Sequence, residues 1–321
     1  MSTRRIAVTG AAGFIGEALC RRLAGDGHDV VGLDIAGDER VHAAGGTFRR
    51  CDVTDAEVTR AALADVEMVI HTAALLGDWG SRREFARVNV GGTRNVLDAA
   101  HIAGLERVVH LSSVAVWGYE FTEDVTEDDP PRPCGVPYID TKGWSDDLAR
   151  AAGAAVVRPG DVYGPGSIPW LVRPFGALKA GMLRLPGRAD GLITPVYIDD
   201  LVDCIVRALL TPAAAGQAFT AWDGHAVTSA EFFGHYARML GKDAVPTAPE
   251  AVSRAAALVL EIGARLTGRP ATVTRDSMIF ISRKAVYPNA RAREVLGWEP
   301  RVSLEEGMRR SEEWLRAEGL L

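Results

Sequence analysis

A glycine-rich turn near the N-terminus constrains the fold of this chain more than any other feature. The turn, residues 9–16, stands between the apolar run 6–8 and a helix-like segment, 17–24. In a strand, turn and helix of this type, the first glycine allows a tight turn, the second lets backbone approach a pyrophosphate, and the third permits close packing. The helix N-terminus offers free N–H groups to phosphates. An ordinary glycine turn has the same spacing, but a dinucleotide site is favoured, with contacts at Gly10, Gly13, Phe14, Ile15 and Gly16.

The predicted second strand, residues 29–33, ends at an acidic residue. Asp34 lies about 20 residues past the glycines, where a carboxylate can accept hydrogen bonds from the ribose hydroxyls and repels a 2′-phosphate. The arginines that could offset this repulsion, Arg40, Arg49 and Arg50, are not adjacent to Asp34. Although a bland surface aspartate is the alternative interpretation, the sequence favours NAD over NADP as the cofactor.

Three further predicted strands carry small or polar residues at their carboxyl ends, where ligands bind in an open α/β sheet. These strands are residues 47–51, 68–71 and 107–111. The acid after the first could accept from the adenine amino group, or it could cap a helix that begins near Asp55. His71 is expected to be packed and not catalytic. The candidate cofactor contacts at these strand ends are Asp52, Val53, Ala73, Ala74 and Ser112.

A helix-start signal at residues 135–137 leads into a tyrosine and a lysine four residues apart. Residues i and i+4 share a helix face, so the Tyr138 hydroxyl and the Lys142 ammonium can point into one site. A phenol has an unperturbed pKa of about 10, and a nearby cation favours its ionised form. Surface Tyr–Lys pairs are common, but beside a dinucleotide turn this pair predicts an acid/base group that also contacts the cofactor.

Composition narrows the class of partner. A chain of 321 residues with 47% apolar content exceeds one typical domain, so two lobes are expected. The net charge of −6 argues against a nucleic-acid partner and favours a small-molecule substrate. The four cysteines have no metal-ligand spacing, so no metal is predicted, and free thiols in a reducing cytoplasm are the simplest account.

No segment has the pattern of a signal peptide or a membrane span. Residues 1–5 lead directly into the first strand without an apolar signal-peptide region. The longest apolar run, residues 255–260, is far shorter than the ~20 residues that cross a bilayer. We therefore expect a cytoplasmic protein without a membrane span.

Predicted strands and helices alternate in the first half of the chain and not in the second. A helix is expected over 85–103. Gly91 and Gly92 lower its helix propensity relative to alanine, and close packing against a neighbour is the suggested reason for them. Asp199 and Asp200 are expected to cap a helix that ends at Leu210. Beyond the sixth strand at 154–157, the other expected elements are helices at 168–180, 229–240, 250–266 and 304–318, strands at 195–198 and 219–221, and an extended piece at 278–282.

This order of elements predicts an α/β fold, a Rossmann doubly wound parallel sheet with a smaller mixed α/β C-terminal substrate lobe. Residues 1–166 are expected to form the NAD-binding domain, with 190–222 returning to it. Residues 167–189 and 223–321 are expected to form the substrate-binding lobe.

Together these motifs resemble one family, the extended short-chain dehydrogenase/reductases. The matching pieces, which run over almost the whole length, are Thr9-Gly10-x-x-Gly13-x-x-Gly16, Asp52-Val53, His71-x-Ala73-Ala74, Asn89-Val90-x-Gly92-Thr93, Ser112-Ser113-x-x-Val116-x-Gly118, Tyr138-x-x-x-Lys142, Arg158-Pro159-x-x-x-Tyr163-Gly164-Pro165, Tyr197-x-Asp199-Asp200 and Leu296-Gly297-Trp298-x-Pro300.

The resemblance implies a catalytic group of three residues. Ser113 would hydrogen-bond the substrate oxygen, Tyr138 would transfer the proton, and Lys142 would hold the nicotinamide ribose while tuning Tyr138. It also implies cofactor contacts at Pro159 and Val162. The family further implies a homodimer through helices at 85–103 and 138–152.

Departures from the family pattern bear on the substrate. Members that dehydrate or decarboxylate nucleotide sugars carry an acid just after the catalytic Ser or Thr, where this chain has Val114-Ala115. Trp117 stands where tyrosine is common, and Asp161 stands where sugar epimerases usually have asparagine. The segments 158–164 and 283–287 look more like the 3β-hydroxysteroid dehydrogenase and 3-ketoacyl reductase branch.

Three functions stay open at this point. The favoured one is hydride transfer between NAD and a secondary alcohol or ketone on an apolar, sterol-like or 3-ketoacyl-like substrate, with Tyr138 as the acid/base. A nucleotide-sugar 4-epimerase would use the same three residues. A non-catalytic NAD-binding sensor is disfavoured, because a sensor is expected to lack the Tyr138 and Lys142 pair.

The choice between the first two depends on what lines the cleft. An apolar pocket is expected if helix 250–266 contributes to it, whereas simple packing on the Rossmann domain is the alternative. The expected apolar lining is Val252, Ala255, Ala256, Val259, Leu260, Ile262 and Leu266, with Trp117, Trp170, Leu171 and Phe175. A UDP-sugar would instead need cations opposite its phosphates, and the candidates are Arg173, Lys179, Arg184, Arg188, Arg269 and Arg275.

Overall fold

The computed structural model describes residues 3–77, 80–119, 121, 125–267 and 274–321. Its strands in chain order are β1 (Arg5–Thr9), β2 (Asp29–Asp34), β3 (Thr47–Arg50), β4 (Met68–His71), β5 (Arg107–Leu111), β6 (Ala155–Pro159), β7 (Asp161–Tyr163), β8 (Leu185–Pro186), β9 (Leu192–Ile193), β10 (Pro195–Tyr197), β11 (Ala218–Ala221), β12 (Val227–Thr228) and β13 (Thr247–Ala248).

Helices connect most of these strands. In chain order they are α1 (Phe14–Gly25), α2 (Asp38–Ala43), α3 (Ala56–Leu63), α4 (Arg82–Phe85), α5 (Thr93–Ala103), α6 (Pro137–Ala151), α7 (Arg173–Lys179), α8 (Ile198–Leu210), α9 (Ser229–Met239), α10 (Glu250–Thr267), α11 (Arg275–Ser282), α12 (Ala290–Leu296) and α13 (Leu304–Ala317). Short π-helical segments lie at Ala86–Gly92 and Ile168–Val172, and 3-10 turns lie at Val114–Trp117 and Pro212–Ala214.

A seven-stranded parallel sheet in the order β3-β2-β1-β4-β5-β6-β11 forms the centre of the molecule. Alternate residues of each strand point to opposite faces, so Ile6 and Val8 join the core that includes Leu19 of α1 and Ile205 of α8. Ala7 lies in a separate core on the other face, under α3 and α5. The strand order and the helices on both faces confirm the predicted doubly wound fold.

The helix predicted over 85–103 forms, but it is not regular throughout. Residues Ala86–Gly92 widen into π-helical turns between α4 and α5. A Cβ on Gly92 would lie 2.7 Å from a methyl of Val53, which confirms the close packing expected there. No comparable contact surrounds Gly91.

Outside the central sheet, three pairs of short strands organise the second half of the chain. Strand β10 pairs with β7, β9 with β12, and β8 with β13. Helix α8 packs on α1, and β11 extends the central sheet beside β6. The boundaries of the two domains remain a prediction. Among the described helices, none combines the length and apolarity that a bilayer crossing requires.

Several local predictions for the second half were wrong. Residues 278–282 are not extended but belong to α11, because Thr274 and Ser277 form a reciprocal capping box that starts a helix. Asp199 and Asp200 do not cap α8, since they lie inside its first turn. The Asp200 carboxylate instead accepts hydrogen bonds from the backbone N–H groups of residues 301 and 302, each at 3.0 Å. Helices α2 and α12 were not predicted.

Candidate active site

The glycine turn has the backbone geometry that a pyrophosphate requires. Gly10 has a φ of +68°, and a Cβ there would lie 2.9 Å from the Cα of Ala73. A Cβ on Gly16 would lie 2.1 Å from the Gly10 carbonyl oxygen. Helix α1 begins at Phe14, and its N-cap, Gly13, has no side chain to cover the free N–H groups. The turn therefore fits a phosphate group at the helix N-terminus.

Asp34 is held against this turn by backbone hydrogen bonds. Its carboxylate accepts from the N–H of Ala12 at 3.0 Å and from the N–H of Ile35 at 2.7 Å. The structure also brings Arg40 to the turn, where its Nη1 donates to the Ala12 carbonyl at 3.2 Å. Arg40 is not adjacent to Asp34 along the chain, but α2 carries it back over the turn that holds Asp34. A cation thus lies close to the predicted ribose site.

Two aspartates that follow β3, Asp52 and Asp55, accept hydrogen bonds from different backbone N–H groups. Asp55, not Asp52, caps α3, accepting from the N–H groups of Glu57 and Val58. The capping alternative for Asp52 was therefore wrong. The Asp52 carboxylate accepts from the N–H of Thr54 at 2.9 Å, and this bond lowers its pKa. Val53 is buried against α5, and a cofactor contact for either residue stays a prediction.

His71 is packed between two threonines, as predicted. Its Nδ1 lies 2.7 Å from Thr9 Oγ1, and its Nε2 lies 3.0 Å from Thr93 Oγ1. Thr93 Oγ1 donates to the Asn89 carbonyl at 2.6 Å, so it accepts from a protonated Nε2. Burial lowers the pKa of His71 to about 3, which keeps the ring neutral. Thr9 Oγ1 accepts from Ala73 N–H at 3.2 Å and so links this ring to the half-buried Ala73 and Ala74.

Asn89, at the centre of the π-helical segment, ties this network to α6. Its side chain amide donates to the Leu75 carbonyl and to Thr141 Oγ1, both at 3.1 Å. Its side chain oxygen accepts from the Leu75 N–H at 2.7 Å. The loop after β4 and the helix that carries Tyr138 are therefore fixed to one another by a single amide.

The serine pair follows β5 at the carboxyl edge of the sheet. Ser112 is buried, and its hydroxyl oxygen has no hydrogen-bond partner within the described ranges. Ser113 is half-buried, and its Oγ accepts from the Ala115 N–H at 3.1 Å, which caps the turn Val114–Trp117. The lone pairs and the proton of Ser113 that this bond leaves unused are available to a substrate oxygen.

Lys142 joins α6 to the end of β5. Its Nζ donates to the Leu111 carbonyl at 2.5 Å, and burial lowers the pKa of this amine to about 8. Tyr138 is half-buried one turn earlier on the same helix. Because Leu111 lies two residues before Ser113, the structure brings all three predicted catalytic residues to one edge of the sheet.

Beyond β6, a buried ion pair closes the base of the site. Asp161 and Arg283 are 2% and 0% exposed at their side chains and form a direct contact. Asp161 also accepts from the Thr194 N–H at 2.8 Å, while Gly160 is too close to the Thr194 carbonyl to accept a Cβ. Pro159 ends β6, and Val162 is buried in β7. The cofactor contacts predicted for these two residues remain predictions.

A second buried ion pair joins β6 to α6. Arg158 donates to both carboxylate oxygens of Asp146 at 2.8 and 2.7 Å, and both side chains are fully buried. The guanidinium of Arg158 also stacks 4.6 Å from the ring of Trp117. Trp117 is therefore a core residue and does not line the cleft.

A cleft of about 470 Å³ opens next to the segment that follows Ser113, and Ser113, Tyr138 and Lys142 are not among its lining residues. Its lining is mixed in polarity and consists of Tyr119, Phe121, Arg132, Pro186, Glu250, Ser253, Arg254, Met278, Ile279, Ser282, Arg283 and Lys284. The predicted apolar lining was wrong. Leu171 and Phe175 are buried in the core, Trp170 packs against Phe232 and Phe233, and the apolar face of α10 points to solvent.

The cations of the cleft are not the predicted ones, and three of them already have carboxylate partners. Arg254 pairs with Glu250 at 2.7 Å, Lys284 with Asp190 at 3.0 Å, and Arg283 with Asp161. Of the predicted cations, Arg269 lies outside the described residues. The other five are absent from the lining, and two of them have partners, since Lys179 donates to the Leu320 carbonyl and Arg275 pairs with Glu261.

The cleft residues Tyr119, Phe121, Arg132 and Arg283 were not identified from the sequence as site residues. Asp161, which stands where sugar epimerases usually have asparagine, could have indicated a buried cation nearby, because a buried acid after a strand requires a partner cation. No local spacing indicates Arg283 as that partner, since the two residues are 122 positions apart.

Comparison with known proteins places the chain in a family. Residues 6–221 match the model of the NAD dependent epimerase/dehydratase family. The chain is 32% identical to a UDP-glucose 4-epimerase of Mycolicibacterium smegmatis, over 97% of the chain and 98% of that protein. It is 30% identical to a 2-alkyl-3-oxoalkanoate reductase of Stenotrophomonas maltophilia, over 95% of the chain and 98% of the relative.

A solved structure agrees with these relatives. It is that of MoeE5 in complex with UDP-glucose and NAD, which is 27% identical with a TM-score of 0.78, covering 98% of this chain and 99% of its own. These matches confirm the predicted family, the enzyme class and NAD as its cofactor. The chain belongs to the NAD-dependent epimerase/dehydratase family, in which the extended short-chain dehydrogenase/reductases with this fold are found.

Proposed function

We propose that this enzyme moves a hydride between NAD and a secondary alcohol or ketone on a largely apolar substrate. NAD, when bound at the glycine turn, supplies the group that gives or accepts the hydride. Tyr138 gives its phenolic proton to the carbonyl oxygen as the carbon is reduced, and it recovers that proton from the alcohol in the reverse direction. Ser113 donates a hydrogen bond to the same oxygen.

The position of Lys142 supports this assignment. Its bond to the Leu111 carbonyl uses one of three N–H donors, which leaves two for the nicotinamide ribose. Its charge also favours the ionised form of Tyr138 on the same helix face. The Asn89 bridge holds α6 against the loop after β4, so the proton donor and the predicted cofactor contacts keep a fixed spacing.

The ion pair between Asp161 and Arg283 is the observation that favours an apolar substrate over a nucleotide sugar. A diphosphate needs unpaired cations, but Arg283 is already neutralised by a buried carboxylate that would repel phosphate. Arg254 and Lys284 also have acidic partners. Tyr119, Phe121, Met278 and Ile279 supply apolar contact surface in the same cleft. The 2-alkyl-3-oxoalkanoate reductase among the relatives supports a substrate of this class.

A nucleotide-sugar 4-epimerase is the second candidate. It would use Ser113, Tyr138 and Lys142 to oxidise and then re-reduce one sugar carbon, so the catalytic residues do not discriminate. The UDP-glucose 4-epimerase among the relatives, at 32% identity over nearly the full length, favours this candidate. The predicted homodimer is compatible with either function.

Spectrophotometry and calorimetry separate the candidates. We expect NADH oxidation with a 2-alkyl-3-oxoalkanoate or a 3-oxosteroid. Any UDP-sugar should bind at least ~10-fold more weakly than that ketone, a difference of about 1.4 kcal/mol in binding free energy. Micromolar binding of UDP, with interconversion of UDP-glucose and UDP-galactose and no ketone reduction, would establish the epimerase instead. NAD binding without turnover of any compound in the panel would support the sensor.

A further inference from the structure

Two consecutive residues of β5 contact Lys142 at two different points. The Leu111 carbonyl accepts from Nζ at 2.5 Å. His110, the residue before it, is 2% exposed, and its Nε2 lies 3.2 Å from Ser145 Oγ. Ser145 Oγ in turn donates to the Lys142 carbonyl at 3.0 Å. Strand β5 therefore holds the side chain of Lys142 directly and its main chain through Ser145.

These bonds fix which nitrogen of His110 carries the proton. Ser145 uses its hydroxyl proton on the Lys142 carbonyl, so it accepts from Nε2 of the histidine. In a neutral ring Nδ1 is then an acceptor, and none of the residues that the structure describes donates to it. A buried acceptor without a partner costs about 1–3 kcal/mol. Packing alone would favour an apolar side chain here, so the donor at Nε2 is what this position requires.

The ring of His110 rests against that of His71. The two residues are partners in the pairing of β4 with β5, and their ring centroids are 5.3 Å apart. Both nitrogens of His71 are hydrogen-bonded to threonines, which fixes its ring. Burial, followed by the charge of Lys142, lowers the pKa of both histidines, so the two rings stay neutral beside the ammonium. His110 is therefore held from the cofactor side while it holds Lys142.

We propose that His110 is a positioning residue for Lys142. Through Ser145 it fixes the turn of α6 that carries Lys142, and the Leu111 carbonyl fixes the ammonium. The two N–H donors that remain on Nζ are then directed at the nicotinamide ribose. This inference rests on the role of Lys142 in the proposed function, but it does not depend on the substrate.

Calorimetric titration with NAD tests the proposal without a substrate. His110→Leu removes the donor, and NAD should bind at least ~5-fold more weakly because Lys142 is no longer held toward the ribose. His110→Gln keeps an N–H donor near the Nε2 position and should bind NAD within about twofold of the unmodified chain. His28→Leu is the matched control. It removes a buried histidine beside the first residue of β2, at the opposite edge of the sheet, and should not change NAD affinity.

A double-mutant cycle shows whether His110 acts through Lys142. In a chain that carries Lys142→Met, His110→Leu should weaken NAD binding no further, whereas a general loss of structure would act in either background. Circular dichroism first establishes that each variant is folded. Ser145→Ala removes the acceptor of the same bond and should weaken NAD binding as His110→Leu does, so it carries the test if His110→Leu does not fold.

Two results would overturn the proposal. One is normal NAD affinity of His110→Leu and Ser145→Ala where Lys142→Met binds weakly, and the other is an equal loss with and without Lys142. Normal NAD affinity of Lys142→Met would remove the role of Lys142 itself, and this inference with it. The proposed reaction fails separately, if NAD binding responds as expected and no ketone is reduced.

Discussion

The cofactor side and the substrate side of the site are stabilised by different kinds of contact. Around the glycine turn, backbone hydrogen bonds hold Asp34, and two threonines hold a neutral His71. On the substrate side, at the cleft, a buried ion pair holds Arg283 against Asp161. The first arrangement depends on close backbone geometry, whereas the second depends on charge balance. Substitutions that change shape and substitutions that change charge should therefore affect different sides.

The largest effect is expected at the residue where the two sides meet. Tyr138→Phe should lower turnover at least ~10²-fold, because the phenolic proton is lost, while NAD affinity stays nearly unchanged. Turnover is measured from NADH absorbance and NAD affinity by calorimetry. Tyr163→Phe is the matched control, since the buried Tyr163 hydroxyl has no partner among the described residues and its loss should leave turnover intact. Near-normal activity of Tyr138→Phe would refute the mechanism.

Removing charge from the substrate side should cost stability. Asp161→Asn leaves Arg283 buried and unpaired, and we expect a loss of about 3–5 kcal/mol in the free energy of unfolding. Urea denaturation measures it. Glu250→Gln breaks an exposed ion pair of the same type and should cost at most ~1 kcal/mol. Equal losses for the two variants would mean that burial does not distinguish these pairs.

Changing shape on the cofactor side should weaken NAD binding instead. Gly16→Ala places a Cβ 2.1 Å from the Gly10 carbonyl oxygen, so the turn must shift away from the pyrophosphate. We expect at least ~10-fold weaker NAD binding, measured by fluorescence titration. Gly25→Ala lies on the same helix with no heavy atom within 4 Å of the added Cβ, and it should bind NAD normally. A normal NAD affinity for Gly16→Ala would show that the turn tolerates the methyl group.

Lys142 lies on the boundary between the two sides and should give a pH signature in the cofactor-free protein. Burial lowers the pKa of this amine from 10.5 to about 8, so the protonated folded state is penalised below about pH 8. As pH rises from about 8 toward 10.5, the unfolded chain holds the extra proton and this penalty is progressively relieved. Unfolding free energies of the unmodified chain should therefore rise relative to Lys142→Met over that window. A constant difference would show that Lys142 is not desolvated.

The smallest effect is expected on cofactor choice. Asp34→Ala removes the charge that repels a 2′-phosphate, and Arg40 beside the turn supplies a partner for it, so NADP binding should improve by roughly tenfold. Fluorescence titration with both cofactors measures the change. Adding Arg40→Ala should remove the gain. If the unmodified chain already binds NADP more tightly than NAD, Asp34 is not at the ribose.

The cofactor side could be predicted from sequence because its contacts are local or lie at strand ends. Parallel strands place their carboxyl ends at one edge, so the positions of Asp34, His71 and Ser113 follow from counting along each strand. The same counting shows that Tyr138 and Lys142 share a helix face.

The substrate side could not be predicted because its contacts join distant parts of the chain. Arg283 meets Asp161 across 122 positions, and no spacing rule covers such a pair. The sequence predicted an extended piece at 278–282, but the capping box at Thr274 starts a helix. The apolar residues of 250–266 predicted a cleft lining, yet only tertiary packing decides which helix face is buried.

The π-helical segment Ala86–Gly92 makes the site sensitive to the number of residues between α4 and α5. A π turn holds more residues than an α turn, so removing one residue would let α4 and α5 join as a regular helix. That deletion would rotate α4 by about 100° relative to α5 and turn Asn89 away from Leu75 and Thr141. Substitutions that preserve the hydrogen bonds of Asn89 can be accommodated here, whereas an insertion or deletion would separate the cofactor loop from the helix that carries Tyr138.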